Sequence, residues 1–157
     1  TASAQSVSYD YARGTNFCRF RSYAWVRGTN LADELNHQRI VSAIDAQLAA
    51  KGLSKVESSG SPDMLVAYHA SFDRDVQIQA FSSDFGGWRF GNRSGTARSE
   101  QIITGTLVVD LVDAKTESMW WRGVASKEID TRASPEKRDR NANKAAEKLF
   151  KNYPPKV

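Results

Sequence analysis

The spacing of apolar and polar residues predicts β-strands over most of the chain. Alternation at period two, or short runs rich in β-branched and aromatic residues, is typical of strands. The segments with this character are 7–11, 22–26, 64–72, 104–112 and 118–129, and 76–80 could continue the third of them as a hairpin. The turn-forming triplet Gly14-Thr15-Asn16 separates the first two strands. The five-residue connector 113–117 is short enough to make the last two strands a hairpin.

A first helix is predicted between the second and third strands. Ile40, Val41, Ile44 and Leu48 fall on one stripe at helical spacing, which is the face expected to pack. Upstream, Asn30 could cap this helix, with Asp33 three residues later in an imperfect capping box. Downstream, the sequence Lys51-Gly52-Leu53 is typical of a helix end, because glycine adopts the left-handed conformation there.

A second helix is predicted at the C-terminal end. The triplet Ser134-Pro135-Glu136 supplies a capping hydroxyl, a proline at the first helical position and an early acid. The helix should end near Asn152, because Tyr153-Pro154-Pro155 cannot continue it. Its apolar face is made by Ala142, Ala145, Ala146, Leu149, Phe150 and Tyr153, and basic residues line the opposite face.

This order of elements predicts an α+β fold. Neighbouring hairpin strands with segregated helices favour a two-layer sandwich, in which an antiparallel sheet carries both main helices on one face. We expect residues 1–6 to be a flexible N-terminal tether and residues 7–155 to be a single domain. Residues 81–100 form the longest irregular stretch, and a loop of that length in a compact domain is usually functional.

Composition and charge narrow the class of protein. A chain of 157 residues with 40% hydrophobic and 25% charged residues is typical of one globular domain. No segment approaches the run of about 18 apolar residues that a membrane helix needs, and residues 1–6 have no signal-peptide character. Cys18 is the only cysteine, so it forms no intrachain disulfide, and we expect it to be a small buried side chain beside Phe17 or Phe20.

The positive charge is concentrated in one element. Residues 131–157 hold eight basic and three acidic residues, a net charge of +5, whereas the whole chain carries +4. Basicity of this kind is a property of the last helix, not of the whole surface.

Four segments in order resemble the bacterial envelope family catalogued as domain of unknown function 4136, whose members are often lipoproteins. The segments are 16–25, which ends in Tyr-Ala-Trp; 61–69, which begins Ser-Pro-Asp; the hairpin pieces 105–113 and 121–125; and the closing 150–155. The resemblance covers residues 7–155. It implies a periplasm-facing module, commonly tethered to a membrane through a lipidated cysteine, and it implies no reaction.

The residues that could carry catalysis or bind a metal fit known sites poorly. His37 and His69 are the only histidines, and their spacing matches no zinc signature, even with Asp110 or Asp113 added. We expect His37 to pack on its helix and His69 to be hydrogen-bonded within the sheet. Asp110, Asp113 and Glu128 could act as paired acids only if they converge in one cleft. Asp113 is more economically a turn residue, and Asp110 could pair with Arg122 across the strands. We therefore predict no catalytic residues, no metal site and no cofactor.

Two candidate binding surfaces remain. The first is the aromatic and arginine-rich loop, since such residues can stack on rings and grip anions. The second is the basic face of the last helix, which could meet an anionic partner. The residues of the two surfaces are Phe85, Trp88, Arg89, Phe90 and Arg93 in the loop, and Lys137, Arg140, Lys144, Lys148 and Lys151 on the helix.

Three functions are compatible with these features. The leading hypothesis is a non-enzymatic, periplasm-facing envelope module, lipid-tethered in its full-length form, that binds or scaffolds an anionic envelope component or another envelope protein. The first alternative is a nucleic-acid-binding domain that uses the basic helix and the aromatic loop. The second is a hydrolase or carbohydrate-active enzyme that uses Asp110, Asp113 or Glu128.

Overall fold

A computed structural model describes residues 6–78 and 99–155 of the chain, with side chains in 6–73 and 103–155. These residues form six strands and two α-helices. The elements are β1 (Ser6–Tyr11), β2 (Ser22–Trp25), α1 (Glu34–Ala50), β3 (Ser54–Lys55), β4 (Met64–Ile78), β5 (Ser99–Asp113), β6 (Met119–Glu128) and α2 (Pro135–Phe150). Short 3-10 turns occur at Phe17–Arg19 and Ser58–Gly60.

The described strands make one sheet in the order β1-β6-β5-β4-β2-β3. The predicted α+β sandwich is confirmed, but the sheet is mixed, since β2 runs parallel to both β3 and β4. Parallel neighbours need a long crossover, and α1 supplies it between β2 and β3. The two-residue β3 is too short to show a pattern in the sequence.

Strands β4 and β5 are longer than the sequence predicted. They pair without interruption from Met64 opposite Asp113 to Ile78 opposite Ser99. Residues 76–78 of the segment 76–80 therefore do not turn back as a hairpin but continue β4 to Ile78, and residues 79 and 80 lie outside the described residues. At the other end, β6 pairs with β5 up to a register shift beside Leu111, which leaves Trp120 as the extra residue.

The helix ends follow local hydrogen bonding. Asp33, not Asn30, caps α1, because its carboxylate accepts the backbone N–H of Leu35 at 3.0 Å and of Asn36 at 3.3 Å. At the far end Gly52 has φ +85°, and the backbone N–H of Leu53 donates to the carbonyl of Leu48 at 3.0 Å, as predicted.

The second helix begins as its sequence predicts. The Ser134 hydroxyl accepts the backbone N–H of Lys137 at 3.2 Å, and Pro135 occupies the first turn.

One hydrophobic core lies between the helices and one face of the sheet. Strands β4 and β5 contribute alternate residues to it, as the pleat requires. Its most deeply buried large side chains are Tyr23, Ile44, Leu48, Met64, Val66, Tyr68, Val109, Leu111, Trp121, Leu149 and Phe150. Trp121 stacks on Phe150 with ring centroids 5.1 Å apart, which joins β6 to α2.

Cys18 is exposed, which contradicts the expectation that it is buried. The 3-10 turn places Phe17 and Phe20 three residues apart on one side, and both are buried. Cys18 and Arg19, the two residues between them, therefore face solvent.

Candidate functional site

The sheet face away from the helices carries a buried carboxylate. On β5, Val109 and Leu111 enter the core, so the intervening Asp110 projects from the opposite face. Asp110 is nevertheless only 4% exposed. A buried carboxylate needs charged or hydrogen-bonding partners, because desolvation penalises its ionised form.

Arg122 is the principal partner of Asp110. The two residues lie directly opposite each other on β5 and β6. The guanidinium donates from Nε to Oδ1 at 2.6 Å and from Nη2 to Oδ2 at 2.9 Å, a bidentate pair. The hydrogen bond to Asp110 raises the pKa of Arg122 further above its ordinary value. The sequence-based pairing of these two residues across the strands is confirmed.

His69 adds a second contact to Asp110 and connects it to the segment that follows β2. Its Nε2 lies 3.2 Å from Oδ2 of Asp110. Its Nδ1 accepts the backbone N–H of Thr29 at 3.0 Å and lies 3.1 Å from the Thr29 hydroxyl. Because Nδ1 accepts from a backbone amide, we assign the proton of the neutral ring to Nε2, which then donates to Asp110.

The contacts run from the Thr29 hydroxyl through the His69 imidazole to the Asp110 carboxylate, which is the order of groups in a catalytic triad. The likeness is limited to this order. The Nδ1 lone pair that would act as a base already accepts the Thr29 amide, and both oxygens of Asp110 accept from Arg122. The hydrogen bonds of this cluster therefore hold residues 26–30 against β4. His69 is the hydrogen-bonded sheet histidine that the sequence predicts.

The three acids proposed for a hydrolase do not converge. Asp113 lies three residues from Asp110 along β5, about 10 Å, and Glu128 pairs with Thr104, six residues away, about 20 Å. The hydrolase hypothesis required two of these carboxylates in one cleft. The extended strand keeps the three carboxylates apart, so this requirement is not met.

Asp113 is the turn residue that the sequence predicts. Its Oδ1 accepts the backbone N–H groups of Lys115 at 2.8 Å and Thr116 at 3.2 Å, and Arg19 donates to Oδ2 at 2.7 Å. These hydrogen bonds, led by that of Lys115, lower the pKa of the Asp113 carboxyl. The side chain closes the β5–β6 connector and ties the 3-10 turn of Arg19 to it.

His37 lies on the other side of the sheet from His69. It is half-buried on α1, as expected, and its Nδ1 is hydrogen-bonded to the hydroxyl of Tyr68, which also accepts the backbone N–H of Leu31 at 3.0 Å. Burial raises the pKa of Tyr68. The two histidines thus belong to separate polar groups and share no site.

Sequence reasoning missed the cluster around Asp45 on α1. Its carboxylate accepts from the Tyr23 hydroxyl at 2.6 Å, from Trp25 Nε1 at 2.8 Å and from Lys55 Nζ at 3.0 Å. Burial, together with the hydrogen bond from the Tyr23 hydroxyl to Asp45, raises the pKa of Tyr23 well above its ordinary value. The available signal was an acid on the packing side of the helical pattern, next to Ile44.

The basic face of α2 is a continuous exposed row. Lys137, Arg140, Lys144, Lys148 and Lys151 are all solvent-exposed. Lys137 forms an ion pair with Asp130 at 3.2 Å. Within the described ranges, no acid lies within ion-pair distance of the other four. Asp139, the acid nearest in sequence to Arg140, pairs instead with Arg39 of α1 at 2.7 Å.

The loop residues proposed for the other surface, Phe85, Trp88, Arg89, Phe90 and Arg93, lie outside the described residues. Residues 99 and 100, which the sequence placed in that loop, begin β5. Ser6, placed in the tether, is paired with Ser126 in the sheet. In the part of the chain with described structure, neither helix has the length and apolar character needed to cross a membrane.

Comparison with solved structures finds the same fold at low identity. A DUF4136 family protein from Bacteroides thetaiotaomicron is 14% identical, with a TM-score of 0.59 and 96% of each chain covered. The PelC dodecamer from Paraburkholderia phytofirmans is 8% identical, with a TM-score of 0.57, over 94% of this chain and 95% of that one. A PDZ domain protein from Parabacteroides distasonis is 16% identical, with a TM-score of 0.60. This chain is covered to 98% but spans only 37% of that protein.

Sequence comparison identifies the family. No curated protein matches the chain significantly. The model of the family described as a domain of unknown function, DUF4136, matches residues 7–155, which is nearly the whole chain. The chain therefore belongs to the DUF4136 family.

Proposed function

We propose that this domain is a non-enzymatic module of the bacterial cell envelope that faces the periplasm, is lipid-tethered in its full-length form, and contacts an anionic membrane surface through α2. The observation that carries the proposal is the row of exposed cations on α2. Membership of a family whose members are often envelope lipoproteins supports the location.

The row is suited to a surface rather than to a small ligand. From Lys137 to Lys151 it covers 15 residues, and the two ends lie about 21 Å apart along the helix. The opposite side of α2 is anchored in the core by Leu149 and Phe150, so the row is held rigidly outward. Each lysine or arginine near an anionic leaflet contributes about 1 kcal/mol of attraction.

A scaffolding role is supported by the fold. The PelC protein of similar fold is a dodecamer. We propose that the present domain likewise acts as a structural unit, with membrane contact on the α2 side. The nucleic-acid alternative uses the same cations, and it is distinguished from lipid contact by experiment.

Reversing the charge of Lys144, Lys148 and Lys151 together should weaken binding to vesicles of phosphatidylglycerol and phosphatidylcholine at least tenfold, because about 3 kcal/mol of attraction is removed. Co-sedimentation of the purified domain measures it. The matched control reverses Arg13, Arg27 and Lys115, three exposed cations elsewhere on the surface. This control changes the net charge by the same amount and should weaken vesicle binding less than threefold. The proposal is contradicted if the wild-type protein does not bind anionic vesicles, or if it binds oligonucleotides more tightly than vesicles at the same salt concentration.

The tether is tested on the full-length protein in its native host. We expect it to sediment with membranes and to incorporate labelled palmitate at one N-terminal cysteine, and replacing that cysteine by serine should release the protein into the periplasmic fraction. Two acyl attachments give stable anchoring, whereas the basic row alone gives reversible binding. Recovery of unlabelled protein in the cytoplasm would exclude the proposed location.

A further inference from the structure

In the described part of the chain, the sheet ends in two outer strands of different length. At one side it ends in the two-residue β3, which is too short to recruit another strand. At the other side it ends in the six-residue β1, and within the described residues β1 pairs only with β6. An open edge of this length is a template for pairing with another strand.

The free backbone groups of β1 can be assigned from its register. The backbone N–H of Ala12 donates to the carbonyl of Trp120 at 2.9 Å. Since such bonds recur at every second residue of an antiparallel pair, residues 6, 8 and 10 bond to β6 and residues 7, 9 and 11 point outward. The outward N–H of Tyr11 is already taken by the Asp10 side chain at 2.9 Å. Val7 and Tyr9 therefore each present an N–H and a carbonyl to the open edge.

Apart from Asp10, the strand lacks the features that usually block an edge. Between Ser6 and Tyr11 there is no proline, lysine or arginine, and the register with β6 is continuous. The one charge is Asp10. The Tyr9 side chain, on the helix side of the sheet, is 40% exposed.

We propose that two copies of this chain associate through β1, which pairs antiparallel with β1 of the second copy about a two-fold axis at Ser8. In this register Val7 lies opposite Tyr9 of the second copy, and the two equivalent pairs exchange four backbone hydrogen bonds. Ser8 faces its own counterpart, and Asp10 faces the neutral Ser6 of the second copy.

The side chains of β1 are complementary to those of a second β1 that runs in the opposite direction. A β-branched residue opposite an aromatic is a favourable cross-strand pair, and it covers the exposed Tyr9 ring. The neighbouring register, centred on Tyr9, would need the Tyr11 N–H that Asp10 holds. A two-fold interface of identical patches is the commonest form of self-association.

The dimer would also unite the two α2 helices. Because α2 packs over β1 and β6, a two-fold axis perpendicular to the joined sheet leaves both helices on the same side. Their basic rows then face one surface. The β1 pairing itself is independent of the proposed membrane contact and is tested without lipid.

Cysteine cross-linking tests the register. In a Cys18→Ser background, Ser8→Cys should form a disulfide-linked dimer on mild oxidation, because directly opposed residues of a non-hydrogen-bonded pair have Cα atoms about 4.5 Å apart, within disulfide range. Ser6→Cys is the matched control, on the same strand and face. Its counterpart lies four residues away along the strand, about 13 Å, so it should stay monomeric. Equal cross-linking of both variants would overturn the proposal.

A backbone variant tests the interface without cross-linking. Tyr9→Pro removes an outward N–H and leaves the bonds to β6 in place. In sedimentation equilibrium the dimer dissociation constant should rise at least tenfold, whereas Tyr9→Phe should change it less than twofold. A wild-type chain that stays monomeric at millimolar concentration, or a Tyr9→Pro variant that folds and dimerises like wild type, would also refute it.

Discussion

Replacing Gly28 by alanine is expected to lower the free energy of unfolding by about 2–3 kcal/mol. A Cβ at this position would lie 2.1 Å from the carbonyl oxygen of Tyr68 and 3.1 Å from the His69 ring. The obstacle is the backbone of β4, which cannot rotate away as a flexible side chain could. The segment 26–30 must therefore separate from β4, and the hydrogen bonds of Thr29 to His69 and Ala70 are lost.

Urea unfolding of the two variants checks this expectation. Gly60→Ala serves as the control, since its added Cβ meets only Val56 at 3.5 Å, an ordinary contact. It should change stability by less than about 0.5 kcal/mol. In Gly28→Ala, faster hydrogen exchange of the Ala70 amide should accompany the loss. A Gly28→Ala variant as stable as Gly60→Ala would show that this close approach is not needed.

The helices could be predicted because their signals are local. Ser134 and Pro135 lie within one turn of the start of α2, and Gly52 within one turn of the end of α1. The error at Asn30 has the same origin. Two possible caps stand three residues apart, and the choice of Asp33 depends on how the preceding segment is held to β4, which is a non-local contact.

The mixed sheet could not be predicted for a related reason. Strand β2 reads as an ordinary alternating strand, and nothing in its own residues specifies whether its neighbour is parallel. Two features outside β2 set its neighbours. Helix α1 carries the chain back so that β3 runs parallel to β2, and Gly28 lets the segment after β2 approach β4 closely.

The residues of the candidate site were likewise predictable where their placement depends on local geometry and not where it depends on distant contacts. The α2 row repeats at intervals of three and four residues, so its exposure on one face follows from helix geometry alone. The Asp110 group was only partly predictable. Arg122 follows from the hairpin, whereas Thr29 and His69 meet at 40 residues' separation through the pairing of two strands.

Removing the guanidinium from Asp110 should have the other large effect. Arg122→Met is expected to cost about 2–3 kcal/mol, because it leaves a buried carboxylate without its bidentate partner. This cost is smaller than for a fully buried ion pair, since the Arg122 side chain is 47% exposed and water already screens one side. Asp110→Asn should cost less, about 1 kcal/mol, because the half-exposed guanidinium that remains can be hydrated.

The double variant Arg122→Met/Asp110→Asn separates a charge penalty from a packing loss. If the cost of Arg122→Met comes from an unpaired buried charge, neutralising Asp110 removes that charge, and the double variant should be about as stable as Asp110→Asn alone. The coupling free energy in urea unfolding would then equal the cost of Arg122→Met, about 2–3 kcal/mol. Additive losses would instead mean that Arg122 stabilises the sheet through the packing of its aliphatic stem, with the ion pair contributing little. A large coupling would show that the ion pair, and not the packing of the Arg122 stem, stabilises the sheet face opposite the helices.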